Sequence, residues 1–360
     1  MEVAQAFRPA SGLARQRLRA QHMTGSGFAT PAEAVAWFGA VQAQDYPGAL
    51  WAVGLRTKNA TERLVEHAIS DRSIVRTWPL RGTLHFVAPA DVRWMLKYLA
   101  PRMVARAASR HTQLGLDDRI FARSATLLAN ALVGGRQLTR PAVYRLLESA
   151  RISTRDSRGL HILWRLAHDG VICFGAREGT QHTFALLDEW VPAGRTLERD
   201  EALAELARRY FTSHGPATLQ DFTWWSGLAA ADAKSGLEIA SAHLQREMIG
   251  GQAYWIASTM STARIHSPTA WLLPPFDEYT VAYQDRRAVL APKFAARAGN
   301  GIFSPTLIVD GQVVGTWART IGQRGVAITT SPFRKLVGAE TRAVDAAVKR
   351  YRRFIGDRSA

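Results

Sequence analysis

Gln42-Ala43-Gln44, in the run Val41-Gln-Ala-Gln-Asp-Tyr-Pro47, places two neutral carboxamides two residues apart. Each accepts hydrogen bonds through its oxygen and donates them through its nitrogen. On a helix, positions two apart point in nearly opposite directions; on extended backbone they share a face. A pair sharing a face could grip one small target such as a water molecule. The backbone around the pair therefore decides its chemistry. Thr30, Pro31 and Glu33 spell a capping box that opens a helix. Its apolar spacing stops after Ala40, and Pro47-Gly48 breaks the pattern, so the chain is expected to leave the helix at the pair. The alternative is two solvated glutamines at a helix end, since Gln is mostly exposed.

Other catalytic signatures are missing from the sequence. It has no Gly-rich phosphate loop, no Gly-x-Ser-x-Gly elbow and no zinc-ligand spacing. The ten histidines are scattered; His161 and His168 lie seven apart on one helix face and read as surface or core residues. Asp277 and Glu278 are adjacent, so on a strand they point apart and do not pair as in a glycosidase. The single cysteine, Cys173, permits no internal disulfide and no thiolate cluster. It sits in Val171-Ile-Cys-Phe174, a strand pattern, as a small buried apolar residue. Neither a cofactor nor a metal is expected.

Arg76-Thr-Trp-Pro-Leu-Arg-Gly-Thr-Leu-His85 mixes cations with an aromatic, as a nucleic-acid groove needs. Alternation puts Arg76, Trp78 and His85 where one face would meet DNA, with Arg81 at the turn. The competing reading is a hairpin whose Trp78 and Leu80 cover the core. Arg319-Thr-Ile-Gly-Gln-Arg324 is a polar hairpin tip from which Arg319 and Arg324 would press on a phosphate or a groove; a solvated turn is the alternative.

The chain has 360 residues, 47% of them hydrophobic and 21% charged, which describes a folded protein of two to four modules. It carries 46 Lys+Arg against 30 Asp+Glu, a net charge of +16. Only six of the cations are Lys, and a GC-rich genome explains part of that Arg excess. The net charge itself points to a polyanion such as nucleic acid. An acidic membrane surface is the other candidate, but no basic amphipathic helix dominates, and neither a signal core nor a membrane-length apolar run occurs. The expectation is a cytoplasmic, nucleoid-associated bacterial protein acting as a monomer on double-stranded DNA.

A theme of two or three helices and a short hairpin repeats three times, which is the winged-helix plan. The expected fold is α+β: three tandem winged-helix modules, then a small β-barrel or curled sheet and a basic terminal helix from Val344 to Ile355. The boundaries fall at 1–115, 116–196, 197–262 and 263–360. The wings are Ile74–Leu80 with Thr83–Val87, Val171–Gly175 with Thr180–Leu186, and Leu244–Ile256 turning at Gly250-Gly251. Pro89 opens a helix through Leu99, Trp271 to Tyr283 reads as β-like, and Asp310-Gly311 is a hairpin turn.

Three runs carry a family likeness: Val41-Gln-Ala-Gln-Asp-Tyr-Pro-Gly-Ala-Leu-Trp51, Arg76-Thr-Trp-Pro-Leu-Arg-Gly-Thr-Leu-His-Phe86, and Leu272-Leu-Pro-Pro-Phe-Asp-Glu-Tyr279 with Tyr283-Gln-Asp-Arg286. The sequence resembles the AlkZ/YcaQ-like winged-helix DNA glycosylases of bacteria over nearly its whole length. That resemblance implies three winged helices and a β-barrel around a concave DNA-binding surface. It also implies an active site with Gln-apolar-Gln in the AlkZ branch or Gln-apolar-Asp in the YcaQ branch. Gln42 and Gln44 fit the first; Asp45 is one place too late for the second. The implied activity is monofunctional hydrolysis of cationic N-alkylpurines, bulky N7-alkylguanine adducts among them, with unhooking of interstrand crosslinks, in repair or in self-resistance to a genotoxin. A non-enzymatic winged-helix regulator suits the charge and the modules equally well, and a protein that sequesters an alkylating metabolite is a third reading.

Overall fold

The computed structural model describes residues 11–191, 194–258, 267–322 and 325–356. Helices and strands alternate along the chain, which divides into two compact units: residues 1–65 with 203–360, and residues 66–202. The second unit is continuous in sequence; the first is assembled from both sides of it. No helix among the described residues is long and apolar enough to cross a membrane.

In the continuous unit, five strands pair antiparallel in the order Thr83–Val87, Val75–Leu80, Ile172–Phe174, Thr183–Leu186, Leu138–Thr139. The turn between Val75–Leu80 and Thr83–Val87 is made by Arg81 and Gly82, both at positive φ (54° and 71°), the twist a tight hairpin requires. Helices Asp118–Leu132, Arg140–Ser149 and Arg158–His168 bury Phe121, Leu128, Val143, Leu147, Ile162 and Leu166 against Trp78, Phe174 and Phe184. Cys173 is fully buried in its strand, as its apolar neighbours suggest, and burial pushes its thiol pKa up. The helix opened by Pro89 runs through Pro101 to Gln113, well past Leu99. Pro101 is exposed, so the one helical hydrogen bond it forfeits is lost at a wet face and the helix continues.

In the other unit, helices Ser11–Ala20, Pro31–Phe38 and Tyr46–Leu55 come from before the insertion; Leu219–Ser226, Ala230–Ala240 and Gly338–Phe354 come from after it. A hairpin joins Leu244–Ile249 to Gln252–Ala257 around Gly250-Gly251. Four further strands form one antiparallel sheet in the order Gly325–Pro332, Gln312–Gly322, Thr306–Val309, Ala270–Leu273. Its outer strands do not pair among the described residues: of the two forms expected, a small barrel or a curled sheet, the four strands make an open sheet and not a closed barrel. Asp310 and Gly311 make its tight turn with two positive φ values. The core here gathers Leu18, Trp271, Leu273, Tyr279, Ile308 and Val313. Helix Tyr46–Leu55 packs on the terminal helix through Gly54, where a Cβ would collide with the ring of Phe354.

Candidate active site

The Gln-Ala-Gln run lies on backbone that has left its helix. Thr30 caps Pro31–Phe38 by accepting from the Glu33 amide (3.2 Å), while the Glu33 carboxylate accepts from the Ala29 amide (3.0 Å). Gly39 ends that helix at φ 76°, a conformation that favours glycine, and Ala40–Gln42 follow as a short strand. Pro47 does not merely break the pattern. It sits in the first turn of the next helix, Tyr46–Leu55, where its missing N–H costs nothing.

Gln42 is buried (8% exposed), Ala43 is fully buried and Gln44 is exposed. The backbone N–H of Gln42 donates to Glu278 Oε1 at 2.8 Å. Its own carboxamide oxygen, Oε1, is buried and accepts no hydrogen bond among the described residues. Glu278 Oε2 accepts from the indole N–H of Trp225 (3.0 Å) and lies 3.2 Å from His214 Nε2. His214 Nδ1 is 2.8 Å from Ser213 Oγ, and its ring stacks on Tyr210 at 4.8 Å. Glu278, Trp225, His214, Ser213 and Tyr210 are all 1% exposed or less. Burial holds the His214 pKa below its ordinary value, opposed by the hydrogen bond to and charge of Glu278. A neutral imidazole protonated on Nε2 donates to the carboxylate.

Asp277 turns away from Glu278, but as the N-cap of a short helix, Glu278–Val281, and not on a strand. Its oxygens take Arg56 Nη1 and Nη2 at 2.9 and 2.8 Å, a bidentate pair with both side chains buried. Arg56 also reaches Gln21 Oε1 (2.7 Å), Gln21 Nε2 donates to the Tyr283 hydroxyl (3.2 Å), and that hydroxyl donates to the His214 carbonyl (2.7 Å). A further buried pair joins Arg17 to Asp221 at 3.8 Å. Two of the runs read from sequence thus meet: the Gln run leans on Glu278, and Trp51 donates to the Leu272 carbonyl at 2.6 Å.

Wing residues are placed differently. All six residues of Val75–Leu80 are buried, so alternation offers no wet face there. Trp78 is 6% exposed and packs on Phe174 at 5.1 Å: the hairpin covers the core at this residue and the expectation of a DNA-facing Trp78 is corrected. An indole has a large apolar surface to remove from water, which favours the core. His85 is fully buried with Nδ1 2.9 Å from the Thr83 carbonyl, and Arg76, 4% exposed, lies over the Phe174 ring at 4.6 Å; neither presents the open face that alternation suggested. Arg81 is half-buried at the turn. Arg319 is exposed, with Nη1 donating to the Tyr351 hydroxyl at 2.7 Å. Arg324 lies outside the described residues. Gln42, Gln44 and Arg319 belong to the discontinuous unit, and Arg76, Trp78, Arg81 and His85 to the continuous one.

The sequence reading gave Glu278 no part and missed His214 and Trp225 altogether. The available signal was the Phe-Asp-Glu-Tyr run itself, two acids in an apolar setting, which are costly to bury unless something holds them.

An amide pair braced by buried charge on a basic, mixed helix-and-strand scaffold agrees with what comparison with known proteins returns. The chain belongs to the AlkZ-like DNA glycosylase family, whose model matches residues 35–354. It is therefore an enzyme, a DNA glycosylase. Over 293 residues it is 28% identical to the "Interstrand DNA cross-link repair glycosylase" of Streptomyces sahachiroi, an alignment covering 77% of this chain and 79% of that one. Its fold matches that of the solved Streptomyces sahachiroi DNA glycosylase AlkZ with a TM-score of 0.78 over 98% of both chains, at 23% identity.

Proposed function

We propose that this glycosylase hydrolyses the N-glycosidic bond of cationic N-alkylpurines in duplex DNA, with Gln42 and Gln44 holding the attacking water. One observation carries the assignment: the Gln42 carboxamide oxygen is buried and unbonded among the described residues, while its backbone is tied to a buried carboxylate. Leaving such an acceptor unmade costs roughly 1–3 kcal/mol, which a bound water or sugar hydroxyl would remove.

A purine alkylated at N7 or N3 already carries positive charge and leaves without being protonated. No strong general acid is required. What remains is to orient water against the anomeric carbon and stabilise an oxocarbenium-like sugar. The water oxygen bonds to C1′, the glycosidic bond breaks, its electron pair neutralises the departing purine, and the water's extra proton passes to solvent. An amide oxygen accepts one hydrogen bond from that water; an amide nitrogen donates to sugar or phosphate. Gln is not a base, so unmodified purines should be cleaved little. Glu278 is a positioning residue, fixing where Gln42 starts, and its buried negative charge favours a cationic sugar nearby. The motif supplies no lysine, which favours simple hydrolysis to an abasic site over strand cleavage.

The relative's name supports extending the substrate to interstrand crosslinks, whose bases are tied to the opposite strand and cannot be extruded freely. Helix pairs followed by hairpins, as in Arg140–Leu186, support a reading as winged-helix modules at 1–115, 116–196 and 197–262 with a β module at 263–360. Within that reading Arg81, Arg319 and Arg324 are the arginines to test for phosphate contact.

The test is direct. Wild type and the Gln42→Ala/Gln44→Ala double variant are incubated with duplex carrying a bulky 7-alkylguanine or a nitrogen-mustard crosslink, and freed base is measured by mass spectrometry. The double variant should bind the duplex as wild type does and release on the order of 100-fold less base, the scale of losing one preorganised polar group. Equal release would remove both glutamines from the mechanism.

A further inference from the structure

A cavity of about 1020 Å³ lies wholly within the discontinuous unit and does not include Gln42 or Gln44. Arg19, Lys58, Arg350 and Arg353 all line it, and among the described residues no Asp or Glu does. These cations come from three separate places: the end of Ser11–Ala20, the loop after Tyr46–Leu55, and the last turns of Gly338–Phe354. The dipole of the terminal helix accounts for basic residues on its final turn. It does not account for Arg19 and Lys58 converging on the same space.

Lys58, Arg350 and Arg353 form no side-chain hydrogen bond or ion pair with any described residue. Arg350 is half-buried, and its pKa is held below the ordinary arginine value by burial and by the charge of Arg353 three residues on. Two guanidiniums a helical turn apart, Arg350 half-buried and Arg353 exposed, with no carboxylate of the described residues paired to either, repel each other and gain from an incoming anion. The cavity also presents indole surface. Trp37 lines it half-buried with its indole N–H spent on the Ala20 carbonyl, while Trp271, 3% exposed, belongs to the core.

From these features we infer that the cavity is a binding site for a phosphate group carried by a nucleotide, held by Arg350 and Arg353 with Arg19 and Lys58 opposite and with the base against indole. Guanidiniums favour phosphate because their fork matches two of its oxygens. The volume suits one nucleotide. The phosphate has two possible sources, a free mononucleotide or a strand of the DNA on which the enzyme works, and the experiment separates them. The inference does not rest on the roles given to Gln42 and Gln44.

Isothermal titration of the full chain with inorganic phosphate, dGMP, deoxyguanosine and a short single-stranded oligonucleotide tests it, using wild type, Arg350→Gln/Arg353→Gln, and the charge-matched control Arg102→Gln/Arg106→Gln. Arg102 and Arg106 are exposed on Pro89–Gln113, so the control removes the same net charge elsewhere. Saturable binding of dGMP but not deoxyguanosine, weakened at least tenfold by the Arg350/Arg353 variant and unaffected by the control, supports the site with a free nucleotide as ligand. The same pattern seen only with the oligonucleotide supports it with DNA as the source. Equal loss in both variants, or none in either, overturns it, as nonspecific attraction to a +16 chain would produce. Gln42→Ala should leave this binding unchanged, which keeps failure here distinct from failure of the glycosylase assignment.

Discussion

The two units bury polar groups in different ways. In the discontinuous unit two ion pairs are taken out of water, Arg17 with Asp221 and Arg56 with Asp277, and the Glu278 carboxylate is held by the neutral His214 and by Trp225, every side chain 2% exposed or less. In the continuous unit the ion pairs Arg93–Asp188, Arg165–Asp169 and Arg177–Glu66 stay at the surface, and the inside is largely aromatic and aliphatic with neutral histidines such as His168, beside a buried Arg76 and Asp91. Buried ion pairs are poor stabilisers, because desolvation offsets their attraction. Two of them in the unit that carries the Gln run are therefore explained by placement and not by strength. One unit is built to hold a few atoms in register, the other to be a stable body.

The largest effect that would break this contrast comes from Arg56→Met. It strands the Asp277 carboxylate in the interior, and removing one partner of a buried pair costs roughly 3–5 kcal/mol. Chemical denaturation followed by hydrogen exchange should show the loss in residues 11–65 and 203–356 first. An unchanged stability would mean that the pair does not organise that unit.

The continuous unit should answer to pH instead. Burial lowers the His168 pKa from 6.5 to about 4. The unfolded chain then takes up a proton that the folded unit refuses, so stability is full above pH 6.5 and falls as pH drops toward about 4. Across that window the loss is about 3 kcal/mol, from about 1.4 kcal/mol per unit of separation. His111 and His161, also lowered chiefly by burial, steepen the fall. Thermal melts of His168→Gln between pH 7 and 4 should show a flatter slope than wild type; equal slopes would assign the acid sensitivity elsewhere.

Glu278→Gln sharpens the contrast within the discontinuous unit. The amide keeps an oxygen for the Gln42 N–H but loses the charge and turns its own N–H toward the Trp225 indole N–H, so stability should fall by roughly 1–3 kcal/mol and kcat for base release about tenfold, near 1.4 kcal/mol. Activity at wild-type level would reduce Glu278 to a packing role. The smallest effect is expected from Arg319→Ala, at an exposed side chain. It should weaken duplex binding a few-fold whatever the sequence and reduce the salt slope by about one. A salt slope like that of wild type would remove Arg319 from the DNA contacts.

Local chemistry in the sequence marked much of this fold. The turns at Arg81-Gly82, Gly250-Gly251 and Asp310-Gly311, the Thr30 and Thr139 caps and the terminal helix all follow from residue types that admit few conformations. The exit of the chain from helix before Gln42 was legible for the same reason. Alternation misled at Trp78 because Val75–Leu80 is buried throughout, and period-two reasoning assumes one wet face. Trp271 to Tyr283 was read as β-like, yet only Ala270–Leu273 is a strand before Asp277 caps a helix with its own side chain. The bond from Gln42 to Glu278 could not be read at all. It spans 236 positions, and nothing local to either residue names the other.

That separation has a consequence for biosynthesis. The insertion, residues 66–202, is contiguous and can consolidate as soon as it emerges from the ribosome, whereas the carboxylate beneath Gln42 is translated long after the glutamine it braces. Until Glu278 is made, the nascent polypeptide carries Gln42 on backbone that lacks its carboxylate acceptor.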